Sequence, residues 1–484
     1  MSFRDENYVL AESQNLEFKE ASGQIPDDPW ETYSAFANTE GGEIVLGVRE
    51  DKATHEFVLS GVTDPKAMVD DFWNTVRNPS KVNRDVMLLD GVAIVSRKGM
   101  DFICIEVPRA ERDDKPVMVY ERRAKSFVAW IRRGSGDFRA SDEDLRLMSY
   151  DNEPSADRKP LVRFGLDAFC QDTINRYRNA FNVSTPGSPW VGDSQEDFLY
   201  HIGAISKDSK GELHPTQAGL LAFGHEYEIT NLLPQYLLDY REELSGDNRW
   251  DDRVVSQSGD WSGNVVDFYL MVTQKMQRHF KKPFNTDEYG TRHGSNNPVT
   301  EAVNEAVTNA LVHAYYGATA TIRVVLKEDS VEVTNSGSFL MDREVAIAGG
   351  YSEARNPTLL RLFSFIGASD RAGSGLQQMW RTWENIYGTH PQLTESHGPA
   401  VVRILMPFET GILVHKPVPD KTGERKELIL RLVESRPGGV TARVVQSTLG
   451  VSQRVAQKGL KDLFEAGAID RVKDGRTFVY TRIS

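Results

Sequence analysis

Two stretches without any hydrophobic period constrain how this chain can fold. DNEPSADRKP at 151–160 is polar and carries two prolines, and VHKPVPDKTG at 414–423 carries two prolines and a glycine. Proline and glycine interrupt regular structure, so both stretches read as connections between folded units. A chain of 484 residues is too long for one ordinary core and predicts about three domains. The pattern of apolar segments gives units over 1–150, 160–290, 291–412 and 424–484. The first combines short apolar strands (GEIVLGV, DFICIEV) with a helix around PWETYSAFAN, which predicts an α+β multidomain protein.

The chain is 39% hydrophobic and 26% charged, with a mean hydropathy of -0.45, as in globular proteins. No apolar run approaches the ~20 residues of a membrane helix, so no membrane contact is expected. The opening MSFRDENYVL has early acids and no apolar core, unlike a signal peptide. Cys104 and Cys170 form neither a zinc pattern nor a disulfide framework. A cytoplasmic location is the simplest expectation. The net charge of -13 argues against wholesale coating of nucleic acid, but it is unevenly spread. From Lys421 onward there are 13 Lys and Arg against 7 Asp and Glu, an excess of +6 that leaves about -19 elsewhere. A basic tail on an acidic body points to one local polyanion contact.

In NLEFKE, read as a strand, Leu16 and Phe18 face one way while Glu17 and Lys19 share the other face, with Cβ atoms roughly 7 Å apart. A carboxylate beside an ammonium is a pairing used in metal-dependent phosphodiester cleavage. Glu12 upstream, and Glu50 and Asp51 after GEIVLGV, are the acids that would complete a metal site. A half-exposed strand with solvated charges is the other reading of the same spacing.

The ordered segments LEFKE, SAFANTEGGEIVLGVRED and WIRRGSGDFRASDEDLRLM resemble the Schlafen/AlbA-like domain over about 140 residues. The resemblance implies nucleic-acid processing, and a Mg²⁺ or Mn²⁺ ion held by Glu12, Glu17 and Glu50. The last position is usually Asp in that family, and Asp51 stands beside it. Lys19 falls on the phosphate side, and Arg132 and Arg133 are placed to track phosphates; solvated strand charges are the alternative. Asn38, Thr39 and Gly41-Gly42 read as a helix end and turn.

PVTEAVNEAVTNALVHAYYG predicts a helix from Pro298 to Gly317, with Val303, Ala306, Val307, Ala310 and Leu311 as its apolar stripe. Glu301, Glu305, Asn309 and His313 recur every four residues on a neighbouring face, which is also how an ordinary amphipathic helix looks. VEVTNSGSF follows, and then GASDRAGSGLQQMW, a glycine turn opening a helix whose amides suit phosphate oxygens. This order resembles the GHKL ATPases, a fold of α/β sandwich type. It implies ATP or ADP binding, with Glu305 activating water, Asn309 on Mg²⁺, Asn335 and Gly337 at the base, and Gly373, Ser374 and Gly375 at the phosphates. Asn335 stands where that family has Asp and accepts a hydrogen bond without charge assistance, so sensing with slow or absent hydrolysis is expected. His313 is expected to pack or to contact a lid.

The tail ERKELILRLVESRPGGVTARVVQSTLGVSQRVAQKGLKDLFEAGAIDRVKDGRTFVYTRIS looks like a C-terminal winged helix, with a hairpin at Asp474-Gly475. Ser452 caps its third helix, which would present Gln453, Arg454, Gln457, Lys458 and Lys461 outward to nucleic acid, Arg and Gln suiting base edges and Lys the phosphate backbone. Dimer or domain contacts are the alternative use of such a module. Together the resemblances imply a metal-dependent nuclease acting on RNA or DNA, with a nucleotide-sensing module and a role in bacterial defence. A non-catalytic, ATP-gated regulator is the other reading. A homodimer is expected from the GHKL resemblance.

Overall fold

In the computed structural model of the protein, the described residues are 3–4, 10–51, 53–153, 155–244, 249–280, 297–350, 353–369 and 374–408, with parts of 426–482. The first unit holds β1 (Leu16–Lys19), α1 (Asp28–Asn38), β2 (Gly42–Leu46), β3 (Val48–Glu50), β4 (Phe57–Leu59), α2 (Pro65–Val76), β5 (Val92–Arg97), β6 (Met100–Val107), β7 (Met118–Glu121), β8 (Ser126–Arg133), β9 (Gly136–Arg139) and α3 (Asp142–Asp151). Its main sheet has the order β1-β2-β6-β5. β1 runs parallel to β2, with Glu17 opposite Ile44, and parallel strands need a crossover. The helix α1 is that crossover, opened by Pro29 among Asp28 and Glu31. It buries Tyr33, Phe36 and Ala37 with Ile44, Leu46 and Ile105 on one side of the sheet. On the other side Phe3, Leu16, Phe18, Val45 and Phe102 form a smaller cluster. The β7-β8-β9 sheet packs across α1.

The second unit holds α4 (Gln171–Ser184), α5 (Gln195–Ile202), β10 (Ile205–Lys207), β11 (Leu213–Pro215), α6 (Gln217–Phe223), α7 (Glu226–Leu232), β12 (Leu238–Glu243), β13 (Asp252–Val255), α8 (Val265–Gln277), α9 (Pro298–His313), β14 (Ile322–Lys327), β15 (Ser330–Ser336), α10 (Arg343–Ala348), α11 (Pro357–Phe365), α12 (Gly375–Tyr387), β16 (Gln392–His397) and β17 (Ala400–Pro407). A six-stranded sheet runs β13-β12-β14-β15-β17-β16, with β12 parallel to β14 and the other pairs antiparallel. The sheet takes strands from both sides of residue 290, and one apolar core extends from Phe164 to Phe408. The stretches 160–290 and 291–412 therefore share one sheet and one core. Helices α8, α9 and α12 pack in series, and α9 lies across β14 and β15.

The tail contains the helix Gln453–Glu465 and the antiparallel hairpin β18 (Ile469–Asp474) and β19 (Thr477–Arg482). Ile429, Val433, Leu460, Ile469 and Tyr480 form its core. The two residues of the hairpin connection, Gly475 among them, lie outside the described residues. The chain is thus an α+β protein of several units.

Candidate functional site

Helix α9 ends at His313, four residues before Gly317, and is capped at its start by Asn297, whose side chain accepts from the Val299 amide at 3.0 Å. Its apolar stripe is buried in the common core. Glu305 and Asn309, one turn apart, line a cavity of ≈ 110 Å³ together with His313, Asn335 and Gly375. Leu376, Leu393, Val402 and Ile404 supply an apolar wall. An apolar slot with a few polar groups is the usual build of a small-molecule site.

Two glycines fit this geometry for steric reasons. Gly337 has φ +101°, and a Cβ there would lie 2.6 Å from Arg355 Nη1. At Gly375, the first residue of α12, a Cβ would lie 1.9 Å from Glu305 Oε1, so the helix start sits directly on that carboxylate. A helix start favours negative charge, so Glu305 and a nucleotide phosphate compete for the same environment. Asn335 donates through Nδ2 to the Ser336 carbonyl at 3.0 Å, which leaves its Oδ1 as an acceptor. Burial, helped by Arg355, holds the His313 imidazole down to about 4, so it is neutral at ordinary pH. Gly373 lies outside the described residues. The donor set fits a nucleotide with its magnesium ion: Asn309 offers a neutral oxygen and Glu305 an anionic one.

The loop after β15 is shared between this cavity and the seam with the first unit. Ser338, Phe339 and Leu340 line the cavity. Arg355, 2% exposed, donates to the Ser338 carbonyl at 2.8 Å and to both oxygens of Asp151, at 2.6 and 3.0 Å. It also donates to the His313 carbonyl. Arg109 of the first unit donates to the Phe339 carbonyl and pairs with Glu40 at 2.8 Å and Glu395 at 3.5 Å. The Phe339 amide donates to Glu395 at 3.0 Å, and His397 lies 3.3 Å from Glu40. The His397 hydrogen bond, and then Arg109, hold the Glu40 carboxyl down to about 2, while burial raises that of Glu395. Asp157 accepts from the Thr358 and Leu359 amides and the Thr358 hydroxyl, capping α11. The polar segment 151–160 is therefore anchored at this seam by two buried carboxylates.

The acids expected in the first unit divide. Glu12, Glu17 and Lys19 come together at β1: Lys19 Nζ is 2.6 Å from Glu17 Oε1, and Glu12 accepts the Phe18 amide at 3.1 Å. Glu17 does not face solvent. It is 6% exposed because Arg132, itself 1% exposed, covers it at 2.7 Å and continues to Asp137 at 2.9 Å. Burial and the charge of Glu17 raise the Glu12 carboxyl; burial opposes the charged form of Lys19, but Glu17 outweighs it and raises that ammonium. Glu50 turns instead to His55 at 2.9 Å, and Asp51 accepts the Ala53 amide at 2.8 Å. Among the described residues, the side chains that meet as metal-capable trios are Glu40, Glu395 and His397, and Asp208, Glu212 and His214. Glu12, Glu17 and Glu50 are not among these trios.

Arg132 is thus internal, and Arg133 sits at the seam, donating to the His397 carbonyl at 2.9 Å. Asn38 does more than end a helix: its amide bonds the Val117 carbonyl at 2.8 Å, the Trp130 carbonyl at 3.0 Å and the Val117 amide at 2.8 Å, tying α1 to β7 and β8. In the tail Gln457, Lys458 and Lys461 are exposed, Lys461 lying 3.6 Å from Glu465. Ser452 and the side chains of Gln453 and Arg454 lie outside the described residues. Among the described residues no helix is long and apolar enough to cross a membrane.

Three family models match parts of the chain. Residues 12–141 match the family model described as "Schlafen, AlbA_2" and residues 319–404 the one described as "Putative ATP-dependent DNA helicase recG C-terminal". Residues 146–239 match a domain of unknown function. No curated protein matches the chain. Among solved structures, the DIP2311 protein from Corynebacterium diphtheriae is 18% identical and aligns over 96% of this chain and 92% of its own, with a TM-score of 0.40. The N-terminal domain of a putative ATP-dependent DNA helicase RecG-related protein from Nitrosomonas europaea is 24% identical over 28% of this chain and 86% of its own, with a TM-score of 0.21. The chain carries a Schlafen AlbA_2 domain over residues 12–141 and a recG-like ATPase-type domain over residues 319–404.

Proposed function

We propose that this protein is a nucleic-acid-associated, nucleotide-responsive regulator in which ATP or ADP at the Glu305–Asn309 cavity governs how the AlbA_2 domain sits. One observation carries the reading: Phe339 lines the nucleotide cavity while its carbonyl is held by Arg109 of the AlbA_2 domain. A ligand that moves this loop acts on Arg109 directly, and a two-state element biased by both sites is what coupling requires. Asn309 and Glu305 orient the bound nucleotide and its magnesium ion, Asn335 accepts from the base, and the start of α12 receives phosphate oxygens. The exposed Lys458 and Lys461 face of the tail, used as a winged helix, contacts the phosphate backbone. The test is calorimetry with ATP and ADP on wild type and Asn309→Ala. Binding by wild type at least tenfold tighter than by the variant supports the site; no binding of either nucleotide to wild type at millimolar concentration removes it.

Metal-dependent cleavage is the second reading, favoured by the mutual repulsion of Glu12 and Glu17 beside Lys19. Glu50 pairs with His55 and Asp51 accepts the Ala53 amide, so the third acid of this reading is engaged elsewhere in this arrangement. Incubation with RNA, single-stranded DNA and duplex DNA in Mg²⁺ or Mn²⁺ decides it: metal-dependent cleavage lost in Glu17→Ala, with binding kept, would establish this reading over pure binding.

A further inference from the structure

Beside the nucleotide cavity, and separate from it, a second cavity of ≈ 40 Å³ lies in the seam between the AlbA_2 domain and the loop Ser338–Leu340. Its first-unit wall includes Arg112, Lys115, Asp144 and Asp151. Neither Arg112 nor Lys115 lines the nucleotide cavity.

We propose that this seam cavity binds an oxyanion of the phosphate class, held by Lys115 and Arg112. Lys115 donates to the Asn38 carbonyl at 3.0 Å, and no carboxylate of a described residue lies within ion-pairing distance of its Nζ. An ammonium carries three donors, so two are left for the cavity. Burial, and then the charge of Arg109, hold its pKa down to about 7. Lys115 is half-buried, and Arg112 is buried, its side chain 6% exposed. Its Nε donates to the Asp151 carbonyl and its Nη1 pairs with Glu353 at 2.9 Å, while Nη2 is buried with no acceptor. The carboxylates on the same wall are already engaged: Arg355 takes both oxygens of Asp151, and Asp144 accepts from Ser141 and Arg133. A buried guanidinium nitrogen without an acceptor is costly, and an anion that accepts from Arg112 Nη2 and from the half-buried Lys115 ammonium offsets that cost. The volume holds roughly three waters, or one tetrahedral oxyanion in their place.

The cavity shares Ser338, Phe339 and Leu340 with the nucleotide cavity. Orthophosphate from solution and orthophosphate released from a neighbouring nucleotide have the same chemistry, so either source fills it. An anion here fastens the AlbA_2 domain to the shared loop.

The experiment uses the full chain. Thermal unfolding is followed against sodium phosphate and against sodium chloride at matched ionic strength, with and without ADP, for wild type and Lys115→Met. Phosphorus NMR line broadening of orthophosphate by wild type provides a second readout that needs no variant. The expected result is a saturable phosphate response in wild type that weakens at least tenfold in Lys115→Met, with ADP affinity unchanged within about twofold. Unchanged ADP affinity separates failure here from failure of the nucleotide site. A response in the absence of ADP shows that the cavity takes orthophosphate from solution with the nucleotide cavity empty; a response only in its presence shows that the shared loop couples the two cavities. No saturable response in wild type at tens of millimolar phosphate, or an equal response in Lys115→Met, would overturn the proposal and leave the cavity to water.

Discussion

Arg355 grips Asp151 through two bonds, Nε to Oδ1 at 2.6 Å and Nη2 to Oδ2 at 3.0 Å, although 204 positions separate them in the chain. The same guanidinium holds the Ser338 carbonyl beside the Glu305–Asn309 cavity, so one buried fork joins the last residue of α3 to the loop after β15.

Removing one member of that pair strands the other. Arg355→Met leaves Asp151 buried without its cation and should destabilise by about 3–5 kcal/mol. The double variant Asp151→Leu/Arg355→Met, which removes both charges, should recover a large part of that loss. Urea unfolding of both variants and wild type checks it.

Gly375→Ala places a methyl against Glu305, where the Cβ would lie 1.9 Å from Oε1. The variant should bind ATP at least tenfold more weakly, about 1.4 kcal/mol, read by calorimetry. Wild-type affinity in the variant would show that α12 and Glu305 do not shape the site.

Burial pushes the Asp157 carboxyl up from 3.8 to about 6, against the bonds it accepts from Thr358 and Leu359. The folded chain therefore holds that proton more tightly than the unfolded chain. Its contribution to stability is greatest below about pH 4 and falls as pH rises through about 6, by up to about 3 kcal/mol. Asp157→Asn should flatten this part of the stability profile, measured by denaturant unfolding at several pH values.

Lys458→Glu/Lys461→Glu reverses two exposed tail charges. Nucleic-acid affinity should fall across all sequences, with the slope of log affinity against log salt reduced by about 2. Fluorescence anisotropy across a salt series checks it; an unchanged slope would mean the tail does not contact phosphate.

The parts of this molecule with a local period were legible in its sequence. Helices α1 and α9, the strands β2, β6 and β15, and the closing hairpin follow from apolar spacing and their stops. The pairing of Glu305 with Asn309 on one cavity follows from helical geometry alone. Long-range polar contacts were not legible. Glu17 looked like one half of an open charged face because its cover, Arg132, lies 115 positions away. The segment 151–160 looked like a linker because it lacks apolar residues, yet Asp151 and Asp157 anchor it by charge and hydrogen bonds. Strands β12 and β13 join the ATPase-type sheet from before residue 290, which periodicity within a strand cannot show.

The most direct test of coupling between the two domains is nucleic-acid affinity in the absence and presence of saturating ATP, with the reverse titration of ATP against nucleic acid. Coupling through the shared loop predicts that ATP changes nucleic-acid affinity by at least about fivefold, that nucleic acid changes ATP affinity by the same factor, and that Arg109→Gln brings both factors towards one. ATP that binds tightly yet leaves nucleic-acid affinity unchanged in wild type would contradict it.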